Sequence, residues 1–236
     1  MTTPPTDVVV TVHNALPHVQ ACIESLYANT KNFRLIVVDD DSGSVTSEWL
    51  RGPGALRRQR SNLLIRTNYP RWWTRASNLG LRLVRTPWAV LLNSDVTLGP
   101  GWLEQLYQAK SEHGAKVGLV GHVNRDMTFG LEYHEGSWES VEAPGYINGH
   151  CWLLNMDAMA EIAIQRGHPG WFMNELDQRQ IHYNADPETC WALNRLGYAT
   201  IAVYRETVTH TMNVSIAGKP HPFTVELKDV DDNWEP

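Results

Sequence analysis

Asp7-Val8-Val9-Val10-Thr11-Val12-His13-Asn14 and Phe33-Arg34-Leu35-Ile36-Val37-Val38-Asp39-Asp40-Asp41-Ser42-Gly43 are the two stretches on which the reading of this chain turns. The first begins with a continuous β-branched run, and such runs fit strands covered on both faces, as in parallel sheets. Between the two, Pro17 sits where a helix can begin, and Val19, Cys22, Ile23, Leu26 and Tyr27 recur at helical spacing. Strand, helix and strand form one βαβ unit. Outward from it, a third strand is expected at Leu63 to Arg66, a helix at about Arg75 to Val84, and a fourth strand at Trp88 to Leu92 that ends in Asn93-Ser94-Asp95. This alternation predicts an α/β fold on a mostly parallel sheet flanked by helices, with ligands bound outside the carboxyl ends of the strands. The polar clusters lie at those ends.

The second half is less regular. Its pattern predicts a helix from about Pro100 to Glu112, a strand at Lys116 to Val120, a turn-rich stretch through Pro144 and a strand at Cys151 to Leu154. Helices near Asp157 to Gln165 and Glu188 to Leu196 follow, then a strand at Thr200 to Tyr204. No internal repeat or low-complexity segment is present. The tail from Asn213 to Pro236 has scattered charge and little periodicity, which fits a lid, a packed arm or partial disorder.

With 236 residues the chain can bury a substantial core, and one domain is expected. Its apolar stretches are strand-length, far short of the roughly 20 residues a membrane-spanning helix needs. The opening Met1-Thr2-Thr3-Pro4-Pro5 lacks the basic and apolar regions of a signal peptide, so a cytoplasmic location is expected. Cys22, Cys151 and Cys190 match neither a zinc site nor a disulfide framework and read as reduced core residues. Nine of the 20 basic residues are arginines between Arg51 and Arg85, a segment that holds none of the 26 acidic residues. That segment can attract an anion, or it is an ordinary solvated helix and loop. Trp72 and Trp73 within it would suit stacking on sugars or bases.

Side by side at two strand ends, His13-Asn14 and Asp39-Asp40-Asp41-Ser42 offer a ring that can stack on a base and carboxylates that can accept from an imide or a ribose hydroxyl. They could equally cap helix starts and turns. Asp95, projecting after its strand, could bridge a hard cation to a diphosphate, because Mg²⁺ and Mn²⁺ prefer oxygen ligands and keep positions open for phosphate and water. Alone, it is an ordinary aspartate after a strand.

In order and spacing these motifs resemble the family 2 glycosyltransferases, over roughly Val8 to His210. Val8 to Asn14 resembles the family's opening strand, Ile36 to Ser42 its base-binding turn, Asn68 through Ala76-Ser77-Asn78-Leu79-Gly80 the loop and helix before its DxD strand, and Leu91-Leu92-Asn93-Ser94-Asp95 the DxD motif itself. Asn148-Gly149-His150-Cys151-Trp152 is similar to the acceptor-side segment, Phe172-Met173-Asn174-Glu175 to its Phe-Asp-Glu with Asn for Asp, and Ala185-Asp186-Pro187-Glu188-Thr189-Cys190 to its Glu-Asp-x-Asp-x-Cys without the first Glu. An Arg common in the last motif is replaced by Ala192.

The resemblance implies a GT-A fold, with about residues 7–98 as a nucleotide-sugar-binding half, 99–212 as an acceptor-binding half and 213–236 as a tail or lid. It implies an inverting transfer from a nucleotide-sugar, a UDP-sugar first, to a saccharide or a nucleic-acid base, with Mn²⁺ or Mg²⁺ as cofactor. It places Thr11, His13, Asp40, Arg75, Asn78 and Ser94 at the donor, Asp95 and His210 on the metal, and Asp186 as general base. Gly149, His150 and Trp152 fall to the acceptor side, with Glu175 and Asp177 as reserve bases. Two rivals remain: a nucleotidyltransferase, although His13-Asn14-Ala15-Leu16-Pro17 has no glycine for a phosphate loop, and a non-catalytic nucleotide- or nucleic-acid-binding protein using the arginine-rich segment.

Overall fold

The computed structural model describes residues 3–52, 55–56, 61–114, 116–123, 140–142, 146–167, 185–204 and 207–211. The β-branched run forms β1 (Thr6–Val12), buried along its whole length. It pairs in parallel with β2 (Phe33–Asp39) on one side and β4 (Trp88–Asn93) on the other, and β2 carries β3 (Leu63–Arg66), also parallel. Beyond β4 the sheet continues through β8 (Cys151–Asn155), antiparallel, then β6 (Val117–His122), β9 (Ala199–Val203) and β7 (Ser140–Glu142). The order is β3-β2-β1-β4-β8-β6-β9-β7, mostly parallel as the alternation predicts. A separate antiparallel pair joins β5 (Val96–Leu98) to β10 (Val208–His210).

Strand alternation divides the core between the two faces of the sheet. Val8, Val10 and Val12 pack with Val19, Cys22, Ile23 and Leu26 of α1 (Leu16–Asn29) and with Trp102 and Leu106 of α4 (Trp102–Glu112). Val9 lies on the other face with Ile36, Leu81 of α3 (Trp72–Leu81) and Met159 and Ile162 of α5 (Met156–Arg166). At the amino end of β1, Asp7 is 2% exposed and forms a two-pronged pair with Arg34, both contacts at 2.7 Å. Burial pushes its carboxyl up, but Arg34 and the N–H groups of Arg85 and Thr86 outweigh that and hold it below the usual range.

Three helices begin away from their expected starts. α3 starts at Trp72 rather than Arg75, because the Asp40 carboxylate accepts the backbone N–H groups of Arg71 and Trp72 and so supplies a cap from a distant strand end. Trp72 takes φ 64 there, uncommon for a bulky residue. α4 waits until Trp102, after Gly101 at φ 78. α6 (Ala185–Arg195) starts ahead of Glu188, which places Asp186 in its first turn, where the helix dipole favours a negative charge. The short elements α2 (Ser44–Arg51), β5, β7 and β10 were not expected. No described helix is long and apolar enough to cross a membrane.

The glycine at 80 tests how closely α3 lies on the sheet. A Cβ there would sit 2.4 Å from Val9 Cγ1 and 3.0 Å from Val38 Cγ2. Alanine gains about 1 kcal/mol of helix propensity over glycine, whereas overpacking a close-packed core costs about 1–3 kcal/mol. Gly80→Ala should therefore lower stability to urea, the midpoint moving down with little change in slope; an equal or higher midpoint would show that the helix rides higher than described.

Candidate active site

Register fixes where the strands end. Val12 lies opposite Asp39 on β2, and Thr11 opposite Asn93 on β4, so three carboxyl ends open at one level. Past that level the loops bond to each other: Asp40 N–H donates to the Val12 carbonyl at 2.7 Å, Asn14 N–H to Ser42 Oγ at 2.9 Å, and Gly43 N–H to Asn14 Oδ1 at 2.8 Å. Asn14 and Ala15 make the turn in left-handed conformation, at φ 58 and 53. His13 Nδ1 is 2.7 Å from the Asp40 carbonyl and Nε2 is 2.9 Å from Asn14 Nδ2. A carbonyl only accepts, so Nδ1 carries the proton and Nε2 accepts a hydrogen bond from the amide N–H. The ring is thus held in one tautomer, half-buried beside Thr11.

Asp40, expected against a base, spends its carboxylate on the protein. Its oxygens accept from Thr67 Oγ1 at 3.0 Å, from Arg71 N–H at 2.8 and 3.0 Å and from Trp72 N–H at 2.8 Å, and burial pushes its pKa up despite those bonds. Asn78 is fully buried in α3, which takes it away from any ligand surface, while Arg75 and Ser94 are half-buried.

Sequence separation vanishes at Asp95 and His210. β10 pairs with β5 so that His210 lies opposite Val96, and Thr211 N–H donates to the Asp95 carbonyl at 2.9 Å. His210 Nε2 then stands 3.1 Å from Asp95 Oδ1, with side chains 13% and 17% exposed. Two donors of one octahedral ion with bonds of about 2.1 Å stand about 3 Å apart, so the pair has the spacing of two adjacent ligands. An imidazole and a carboxylate suit Mn²⁺, and Asp95 also suits Mg²⁺. Among the described residues no third His, Cys, Asp or Glu completes a cluster with them.

Asp186, in the first turn of α6, accepts the Gly149 N–H at 2.8 Å. Desolvation pushes its carboxyl up to about 6, against the lowering effects of that N–H and of His210. Gly149 gives the carboxylate its space: a Cβ there would lie 2.6 Å from Asp186 Oδ1 and 3.1 Å from the Trp73 ring. The next residue, His150, was expected on the acceptor side; it is 1% exposed, its ring stacked on His210 at 4.8 Å, and burial drives its pKa down to about 3, so it is neutral. Trp152 is likewise fully buried on β8 and meets Trp73 edge-on at 6.1 Å; it supports the site from beneath and does not line it. Glu175 and Asp177, with the Phe172 to Glu175 motif and the tail from Asn213, lie outside the described residues.

Asn93 had no expected role of its own, and Trp73 was expected only to stack on a sugar or base. Trp73 donates its indole N–H to Asn93 Oδ1 at 2.7 Å and lies against Gly149. Asn93 in turn donates its backbone N–H to the His150 carbonyl at 2.9 Å, so the strand end before Asp95 and the loop before Asp186 are tied together. Asn at the first position of the Asn93-Ser94-Asp95 motif was the visible signal.

Comparison with known proteins bears on the family and the fold. The family model for glycosyl transferase family 2 matches residues 7–170. Among solved structures, the mannosyltransferase PcManGT from Pyrobaculum calidifontis, in complex with GDP-Man and Mn²⁺, is similar with a TM-score of 0.61 and 18% identity over 85% of this chain and 56% of that one. GalNAc-T7 with UDP, GalNAc and Mn²⁺ gives 0.62 and 11%, over 87% and 43%, and TarS 1–349 of S. aureus gives 0.57 and 12%, over 85% and 57%. The chain spans about half the length of each. No curated protein sequence matches it significantly. The structural likeness establishes the fold, GT-A.

Gly149→Ala should push the Asp186 carboxylate out of its pocket toward water. Followed by carboxyl NMR titration, its midpoint should fall from about 6 toward the ordinary Asp value of about 3.9. An unchanged midpoint would mean that the pocket does not depend on the missing Cβ.

Proposed function

Because the chain belongs to glycosyl transferase family 2, and so is a glycosyltransferase, we propose that it moves a sugar from a nucleoside-diphosphate donor, a UDP-sugar first, to an acceptor hydroxyl with inversion at the anomeric carbon. The observation that carries this reading is Asp186, a carboxylate in a dry pocket, held by a backbone N–H, its pKa pushed up to about 6 and within the electrostatic reach of His210. A general base works best when its pKa lies near the working pH. Here burial supplies the shift and Gly149 supplies the orientation.

In this mechanism the acceptor oxygen forms a bond to the anomeric carbon while Asp186 takes its proton. The bond from that carbon to the diphosphate breaks on the opposite face, and its electron pair leaves with the nucleoside diphosphate. Asp95 and His210 are the residues that would hold a divalent ion, which when bound offsets charge gathering on the departing diphosphate. Mn²⁺ accompanies a nucleotide or nucleotide-sugar in two of the similar structures, which supports Mn²⁺, with Mg²⁺ as the alternative, and a nucleoside diphosphate as leaving group. Thr11 and His13 stand at the strand ends where the donor's base would lie, and the half-buried Arg75 and Ser94 fit its phosphates. On the acceptor, Arg66 of the arginine-rich segment is already paired with Asp39 and Asp41. That lowers the charge left for a phosphate backbone and favours a saccharide over a nucleic acid.

Asp186→Asn keeps shape and removes basicity, so turnover should fall by about 10²–10⁴ while donor affinity holds; near-native turnover would remove Asp186 from the role. In the unaltered enzyme kcat/KM should drop about tenfold per pH unit below about 6, as the base takes up its proton. The sign of the stability change is opposite. A folded-state value raised above the unfolded one means the folded protein binds the extra proton, so this group stabilises the fold as pH falls from about 6 toward about 4. Loss of rate in that window is therefore not unfolding by this group.

UDP or GDP at 100 times its dissociation constant, with Mn²⁺, should stabilise the fold by about 2.7 kcal/mol, and much less after chelation. A melting temperature that no nucleotide moves, with either Mn²⁺ or Mg²⁺, would refute the donor site.

A further inference from the structure

An imidazole that ligates a metal is normally oriented by a hydrogen bond from its other nitrogen to a carboxylate, a carbonyl or water, and removing that partner typically weakens metal binding by about 10–100-fold. His210 lacks that arrangement: its Nε2 faces Asp95, and its buried Nδ1 has no hydrogen-bond partner among the described residues. What the ring does have is a flat neighbour. The His150 imidazole lies 7° from parallel to it, with centroids 4.8 Å apart.

His150 is an unusual residue to bury. It is 1% exposed, and neither of its ring nitrogens has a hydrogen-bond partner among the described residues. Unpaired buried polar atoms are costly, so an apolar side chain would serve the core better. The backbone around it is fixed, since the His150 carbonyl accepts the Asn93 N–H at 2.9 Å and the preceding Gly149 N–H is bound to Asp186. The ring is thus carried on a loop tied at both residues and set face to face against a His210 ring whose Nδ1 has no hydrogen-bond partner among the described residues.

We infer that His150 is a positioning residue, whose imidazole, stacked on that of His210, holds the His210 ring in the plane that presents Nε2 beside Asp95. It touches neither donor nor acceptor. The inference rests on the reading of Asp95 and His210 as the ion-binding pair, and the test separates the two.

The measurement is Mn²⁺ binding to the purified chain, with Mn²⁺ alone as the probe, followed by electron paramagnetic resonance of the free ion. His150→Phe keeps a flat face and should bind within about twofold of the native chain. His150→Leu fills similar space without one and should bind about 10-fold or more weakly. Native-like binding by the Leu variant, or equal losses in both, would overturn the stacking role. His210→Ala is the control: if it too binds Mn²⁺ as the native chain does, the ion-binding assignment itself fails. A further readout needs no change at position 150. In the native chain the ring protons of His210, assigned by their loss in His210→Ala, should be shifted upfield by the stacked ring, and an unshifted signal would overturn the inference even if the variants did not fold.

Discussion

Val12 lies opposite Asp39 and Thr11 opposite Asn93 because β1 runs parallel between β2 and β4, and that shared register is the constraint on which the site rests. A parallel strand buried on both faces cannot slip by one residue without turning a row of valines to the wrong face. The valines at 8, 9, 10 and 12 are all inside, so the level at which three chains leave the sheet is set by packing and not by any ligand. The polar residues follow as the first groups past that level. Asp40, His13 and Asn93 are then bound to one another's loops or to α3 before any ligand arrives. Electrostatic preorganisation of this kind avoids rearrangement at the moment of reaction.

The second half of the site uses contact rather than register. Asp186 reaches its place through one N–H, and the room it occupies is room that Gly149 does not fill. Trp73 closes the other side of the same space, its indole tied to Asn93. The Asp186 pocket is therefore assembled from three regions of the chain, and its dryness, which pushes the pKa of that carboxyl up, is a collective property of their packing.

Much of this was legible in the sequence. The βαβ opening, the strand ends and the order of the motifs follow from period and chain punctuation, which survive into structure because they reflect burial. What escaped was of two kinds. β5 and β10 hold three residues each and carry no periodicity, so the pairing that brings His210 to Asp95 could only be supposed from family likeness. The start of α3 depends on a carboxylate more than 30 positions earlier, a tertiary cap that no local pattern encodes. His150 and Trp152 were assigned to the acceptor side because their motif lies there, but sequence position does not tell which way a side chain on β8 or its approach turns. Their burial is a fact of the sheet's other neighbours.

The three-residue pairing of β5 with β10 also has a kinetic side. Strands this short, at the margin of a fold, open far more often than a core such as that around β1. Each opening carries His210 away from Asp95 while leaving the large sheet whole, so the affinity for a cation and the closing of this small ladder are two readings of one equilibrium. A cation bound across the pair would slow amide exchange at Val208 to His210 and leave β1 untouched. β10 would then act as a clasp beside Asp95, fastened whenever a cation is bound.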